Sequence, residues 1–140
     1  MLKSIKVGDY MTRHLVTFRS DMDLFTAINR LLEHNISGAP VVDSQGHLIG
    51  LLSEGDCLRG ILAGAYHEEV GGNVSAYMAR EVETVTSQTD IIEASERFLR
   101  GRRRRLPVVD DGVLVGQISR HDVLRAVKEF ALHEQGRSRG

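Results

Sequence analysis

The feature that most constrains this chain is that it is written twice. The segment from Val7 to about Leu62 returns from Val74 to about Val127. Tyr10-Met11 matches Tyr77-Met78, Arg13 matches Arg80, and Thr17 matches Thr84. Asp23, Ala27 and Arg30 match Asp90, Ala94 and Arg97. Pro40-Val41-Val42-Asp43 returns as Pro107-Val108-Val109-Asp110, and these two words hold both prolines of the chain. One residue is then lost in a turn. After it, Gly50, Ser53, Asp56, Leu58 and Arg59 match Gly116, Ser119, Asp122, Leu124 and Arg125. Roughly twenty identities in strict order over about fifty-five positions mark a duplicated supersecondary unit.

Both copies carry the same local signals. Val16-Thr17-Phe18 and residues 82–85 are short β-type runs. Asp23 and Asp90 stand where a helix N-cap is needed, and Asp90-x-x-Glu93 has the spacing of a capping box. Leu24, Ala27, Ile28, Leu31 and Leu32 then recur at helical period, as do Ile91, Ala94, Ser95, Phe98 and Leu99. Residues 39–42 and 106–109 read as short buried strands, followed by turns at 43–46 and 110–112. Residues 48–52 and 113–118 read as strands again. Second helices begin near Glu54 and Arg120, with apolar positions at Leu58, Ile61, Leu62 and Ala65, and at Leu124, Val127 and Ala131. The unit is β-α-β-β-α, of mixed α/β (α+β) class, with the two copies expected about a pseudo-twofold axis. The division is 1–70 for the first repeat, 71–133 for the second, and a flexible tail at 134–140, with Gly71-Gly72-Asn73 as the junction. About fifty-five residues alone bury a marginal core, so the copies must pack together. A leftover apolar helix face favours a homodimer.

Composition narrows the classes of function. Hydrophobic residues make up 41% of 140, enough for a core, and the net charge of -1 gives no bulk attraction to nucleic acid or anionic lipid. Cys57 is the one cysteine, so there is no internal disulfide and no Cys-x-x-Cys; its apolar setting makes it a small core residue. The start has no secretory signal, and no apolar run nears the ~20 residues that cross a bilayer, which reads as a cytoplasmic protein without membrane contact. The six histidines (His14, His34, His47, His67, His121, His133) show no metal spacing, and His67-Glu68-Glu69 is not H-E-x-x-H. Ser119, His121 and Asp122 fall within four consecutive residues, whereas a triad converges from separate elements. With no Walker A or G-x-G-x-x-G word, the reading is of a protein that is no enzyme and requires no cofactor. Nucleic-acid binding rests on the Arg102–Arg105 run alone, without a broader basic face.

Two words in each copy carry chemistry. The first is Gly50-Leu51-Leu52-Ser53-Glu54-Gly55-Asp56, repeated as Gly116-Gln117-Ile118-Ser119-Arg120-His121-Asp122. Here a strand runs into a helix, with a hydroxyl at the junction and a carboxylate three residues on. Ser-x-x-Asp is a capping arrangement in its own right. The same geometry suits a nucleotide, because a helix N-terminus attracts phosphate and an ionised Asp accepts from neighbouring ribose hydroxyls. The second word precedes each Pro-Val-Val-Asp: Ile36-Ser37-Gly38-Ala39 and Arg103-Arg104-Arg105-Leu106. Proline interrupts a strand's ladder, and backbone groups left open there can read the edge of a base.

In these two words, in tandem, the chain resembles a pair of CBS domains over about Val7 to Val127. The resemblance implies a regulatory, energy-sensing module that binds AMP, ADP, ATP, S-adenosylmethionine or an NAD-type ligand in clefts between the repeats and signals to a partner protein. It implies one site from Thr17, Ser37, Gly38, Ala39 and Pro40 with Ser119 and Asp122. It implies another from Thr84, Arg104, Arg105, Leu106 and Pro107 with Ser53 and Asp56. Asp would hold ribose, Ser would lie near phosphate, and Thr would face adenine. Arg102–Arg105 departs from the first copy, with Arg103 where that copy has Ile36; it is either a solvated loop or an anion clamp.

Overall fold

The computed structural model describes residues 1–66, 71–101 and 103–139, the last three as backbone alone. Among them are four helices and two antiparallel two-stranded sheets. In order these are α1 (Leu24–Glu33), β1 (Gly38–Val42), β2 (Leu48–Ser53), α2 (Glu54–Tyr66), α3 (Ile91–Gly101), β3 (Arg105–Asp110), β4 (Val113–Ser119) and α4 (Arg120–Arg139). Single 3-10 turns lie at Val7–Asp9 and Val74–Ala76, the start of each repeat. The mixed α/β class read from the sequence is the one observed.

Each element follows from its residues. The Asp23 carboxylate accepts from the amides of Phe25 (3.0 Å) and Thr26 (3.3 Å), and Asp90 accepts from Glu93 (2.9 Å). These are the helix N-caps that satisfy first-turn amides. The strands pair as hairpins, β1 with β2 and β3 with β4, and each ladder shifts register at the second valine of Pro-Val-Val-Asp. The repeated Asp then does two jobs. Asp43 accepts from the amides of Gln45 and His47 (both 2.9 Å) and closes its own turn. In the copy that is one residue shorter, Asp110 instead takes the amide (3.0 Å) and hydroxyl (2.7 Å) of Ser87. Both carboxyls are held below their ordinary range, Asp43 chiefly by the His47 amide and Asp110 chiefly by the Ser87 hydroxyl.

The packing cuts across the sequence repeats. One compact unit comprises Met1–His14 with Glu83–Gly140, and the other is Leu15–Val82. Each unit takes its opening segment from the other repeat. In the first, Thr12 and Gln117 exchange backbone hydrogen bonds of 2.8 and 2.9 Å, and Val7 and Met11 join Ile91, Phe98, Leu106 and Ile118 in the core. In the second, Ala79 and Leu51 exchange two bonds of 2.9 Å, while Val74 and Met78 join Phe18, Leu24, Val41 and Leu52. The division at 70/71 therefore describes the repeats of the sequence; the compact bodies are different objects. Gly50 and Gly116 are why the exchanged segments fit. A Cβ on Gly116 would lie 2.7 Å from Met11 Sδ and 2.9 Å from the Thr12 carbonyl; on Gly50 it would lie at the same distances from Met78 Sδ and the Ala79 carbonyl.

Four local expectations need correction. The first strand of each repeat shrinks to one parallel bridge, Phe18 to Val41 and Val85 to Val108, because only one residue on either segment reaches the hairpin. Leu32 and Leu99 lie outside the core although they share helical period with it. On the second helices the buried residues are Cys57, Val123 and Ala126, while Leu58, Leu62 and Leu124 are exposed. Those helices press a narrower, smaller-residue stripe on the sheet than periodicity suggested. Lastly, α4 runs through Arg139, so residues 134–139 are helical rather than a structureless tail; Glu134, Gln135 and Arg137 are all good helix formers. Cys57 is a buried core residue as expected, and burial pushes its thiol upward.

Candidate functional site

Within each unit the hairpin brings the two words together. Gly38 lies opposite Ser53 and Arg105 lies opposite Ser119. The Ser37 carbonyl accepts from the Glu54 amide (2.9 Å), and the Arg104 carbonyl accepts from the Arg120 amide (3.2 Å). Each pre-proline segment thus abuts the start of its own repeat's second helix. The backbone there is less open than the proline suggested. The Pro40 carbonyl accepts from Phe18 (2.9 Å) and the Pro107 carbonyl from Val85 (3.1 Å). Ala39, Pro40, Leu106 and Pro107 are buried, whereas Ser37, Arg104 and Arg105 are exposed. Thr17 and Thr84 are half-buried, each one residue before the bridge that docks its segment on the hairpin.

Ser-x-x-Asp forms the same turn twice. Asp56 Oδ2 accepts from the Ser53 amide and hydroxyl (both 2.9 Å), and Ser53 Oγ accepts from the Asp56 amide (3.2 Å). In the second copy Asp122 Oδ2 accepts from the Ser119 amide (2.9 Å), and Ser119 Oγ accepts from the Asp122 amide (3.1 Å). This is reciprocal capping, so the capping role of these residues is real. It also fixes the carboxylate, with one oxygen committed to the turn and the other left free of it.

That second oxygen has a partner that sequence reasoning did not assign. Arg59 Nη2 lies 2.5 Å from Asp56 Oδ1, and Arg125 Nη2 lies 3.4 Å from Asp122 Oδ1. Both arginines are repeat anchors three residues after the Asp, which on a helix is the spacing for a side-chain pair. The signal was therefore present in the sequence. Arg125 is shared, because it also donates to the Tyr10 carbonyl (3.2 Å) and stands 5.1 Å over the Tyr10 ring. The Tyr10 hydroxyl donates to Glu129 (2.6 Å), a bond that pushes the phenol's pKa above its usual range. The two turns are alike in their backbone and unequal in how firmly a cation holds the carboxylate.

The arginine run divides. Arg103 Nε lies 3.3 Å from Glu83, and the Arg103 carbonyl accepts from Arg120 Nε (2.7 Å). Arg104 and Arg105 form no ion pair among the described residues; Arg102 lies outside them, as do His67, Glu68 and Glu69. Among the described residues there is no helix long and apolar enough to cross a membrane, and no cluster of three or more potential metal ligands.

A duplicated turn on a duplicated α/β frame defines a tandem-repeat module. The CBS domain model matches residues 7–63 and 74–129, and the chain belongs to the CBS domain family as a tandem pair. It is similar to the uncharacterized protein MJ1225 of Methanocaldococcus jannaschii, with 32% identity over 119 residues, 85% of this chain and 41% of that protein. The chain thus spans well under half the length of that relative. It is similar to CBSX2, a CBS-pair protein of Arabidopsis thaliana whose structure was solved in complex with AMP. The TM-score there is 0.80 and the identity 31%, covering 91% of this chain and 98% of that one. The CBS domain pair of MJ0100, solved with 5′-methylthioadenosine and S-adenosyl-L-methionine, matches with TM-score 0.69 and 25% identity, covering 86% and 97%.

Proposed function

We propose that the chain is a regulatory module that binds an adenosine-type nucleotide and passes the binding event to a partner protein. The observation that carries this reading is the Ser-x-x-Asp turn built twice, each time with one Asp oxygen fixed by the turn and the other paired with a more exposed arginine that a ligand could displace. A ribose diol offers two adjacent donors, and an ionised carboxylate fixed in place is the acceptor that suits them. Ser53 and Ser119, at the starts of α2 and α4, stand where a helix end favours phosphate. Thr17 and Thr84, with the segments Ser37 to Pro40 and Arg104 to Pro107, are proposed to flank the base. CBSX2 with AMP and MJ0100 with two adenosine ligands support this ligand class.

A thermal-shift panel of AMP, ADP, ATP, NAD, S-adenosylmethionine and adenosine tests it. A ligand of the native state adds RT ln(1 + [L]/Kd), about 2.7 kcal/mol at a hundredfold excess over Kd. At least one phosphorylated adenosine is expected to raise the melting temperature by several degrees, with GMP and CMP as controls. A flat response across the panel removes the proposal.

Arg104 and Arg105 are proposed to read the phosphate. Charge-assisted hydrogen bonds contribute roughly 1.5–3 kcal/mol each. The double variant Arg104→Ala/Arg105→Ala is therefore expected to lose at least tenfold of its preference for AMP over adenosine in calorimetric titrations. An unchanged preference would leave the pair as a solvated loop.

A further inference from the structure

The two repeats end their first helices by different means. In the first, the chain closes α1 with its own backbone. Asn35 turns into the left-handed region at φ 50°, and the amides of Asn35 and Ile36 donate to the carbonyls of Leu32 (3.2 Å) and Leu31 (3.0 Å). That closure needs nothing from outside the turn. In the second repeat the carbonyl that matches Leu31 is that of Phe98, and it accepts from a side chain, Arg120 Nη2 at 3.0 Å. Nε of the same guanidinium donates to the Arg103 carbonyl (2.7 Å), and the Arg120 amide donates to the Arg104 carbonyl (3.2 Å). Arg120 directly follows Ser119 at the start of α4, and Glu54 stands there in the first repeat. A planar guanidinium can donate to two carbonyls at once; a carboxylate, which only accepts, cannot. The arginine run is sorted by this contact. Arg103 is fixed at both ends, its side chain on Glu83 (3.3 Å) and its carbonyl on Arg120. Arg105 lies in β3 opposite Ser119, held by the hairpin. Arg104 stands between them, ahead of the strand, exposed and in no ion pair among the described residues.

We propose that Arg120 is a positioning residue for phosphate recognition: by gripping Phe98 and Arg103 it sets the course of the backbone at Arg104, and so where the Arg104 guanidinium is presented. This rests on the reading that Arg104 and Arg105 contact the phosphate of an adenosine nucleotide. A loop left unheld must be ordered when the ligand binds, at a cost in affinity, and a loop already held in place avoids that cost. Arg120 acts through Arg104 and makes no contact of its own with the phosphate. The first repeat, with Glu54 at this position and Ser37 at that of Arg104, has neither the grip nor the cation it would steer.

Calorimetric titration of AMP and adenosine tests it on five chains: the wild type, Arg104→Ala, Arg120→Gln, Arg120→Lys and the double variant Arg104→Ala/Arg120→Gln. Arg104→Ala is expected to lose about fivefold or more of the preference for AMP over adenosine. Arg120→Gln is expected to lose about threefold or more, with adenosine affinity unchanged, because only a phosphorylated ligand uses Arg104. Arg120→Lys keeps the charge without the planar fork and is expected to lose the preference as Arg120→Gln does. The double variant is expected to lose no more than Arg104→Ala alone, since the two residues act through one contact. Losses that add would make Arg120 a phosphate contact in its own right and overturn the positioning role. An Arg120→Gln or Arg120→Lys chain that keeps the full preference overturns it too, whatever its melting temperature. A wild type without the preference, or an Arg104→Ala chain that keeps it, removes the phosphate reading and this proposal with it. A loss at Arg104 with none at Arg120 removes the positioning role alone. Melting curves establish that the variants are folded, and if Arg120→Gln is not, Arg120→Lys decides by the same criterion.

Discussion

Replacing both Asp56 and Asp122 with Asn is expected to abolish measurable AMP binding while leaving the chain folded. The turn explains why the two effects separate. Asn keeps an oxygen that can accept from the Ser53 or Ser119 amide, as each Asp Oδ2 now does at 2.9 Å. Its NH2 group then replaces the second oxygen, turning an acceptor into a donor that faces Arg59 or Arg125 and any ribose hydroxyl. The lost ion pairs are half-exposed, with Arg59 and Arg125 73% and 47% exposed but their carboxylates only 12% and 13%, so each contributes about 1 kcal/mol, the upper end of the range for surface pairs. The lost ligand contacts are costly, about 1–3 kcal/mol per site, or a 5- to 150-fold rise in Kd. Calorimetry on each single variant and the double, with circular-dichroism melts alongside, gives both quantities. Variants that melt earlier yet bind AMP as the wild type does would reduce both residues to helix caps.

The largest stability effect is expected at a glycine. Gly116→Ala places a Cβ 2.9 Å from the Thr12 carbonyl, which is backbone and has no rotamer to escape into. The Met11 side chain, 2.7 Å away, can move. Relief requires the segment 7–12 to lift from β4. That breaks both Thr12–Gln117 hydrogen bonds and uncovers Val7 and Met11. Overpacking of this kind costs about 1–3 kcal/mol, and the lost contacts place this case at the upper end. The melting temperature is expected to fall by roughly 5–10 °C. Gly50→Ala is expected to behave alike through Met78 and Ala79. Gly136→Ala is the contrast: its Cβ meets nothing within 4 Å on α4, so the helix should gain about 0.5–1 kcal/mol. A Gly116→Ala chain that melts with the wild type would mean that the exchanged segment does not dock as described.

Much of this was legible in the sequence because the duplication doubled every weak signal. The capping Asp23 and Asp90, the hairpins around each Pro-Val-Val-Asp word and the Ser-x-x-Asp turns all rest on contacts within about twenty residues, where pattern and geometry are tightly linked. Gly50 and Gly116 were visible as repeated letters, but their reason was not. It lies in segments roughly thirty and a hundred residues away in the chain, Met78-Ala79 and Met11-Thr12, and no local period reports such a contact. The outward turn of Leu58 and Leu124 was misread for a related reason. Helical period says which residues share a face, and only the packing says which face meets the sheet. Arg59 and Arg125 were read as anchors of the repeat, and their role as counter-ions to the proposed ribose ligands needed the side chains in place.

The central claim is that the fixed carboxylates read a ribose diol, and one calorimetric comparison tests it most directly. The wild-type chain is titrated with AMP and with 2′-deoxy-AMP under the same conditions. If Asp56 and Asp122 hold the two hydroxyls, AMP binds and its deoxy form binds at least tenfold more weakly, the loss of one charge-assisted hydrogen bond. Equal binding of the two ligands, or no heat from AMP at millimolar concentration, would contradict the account.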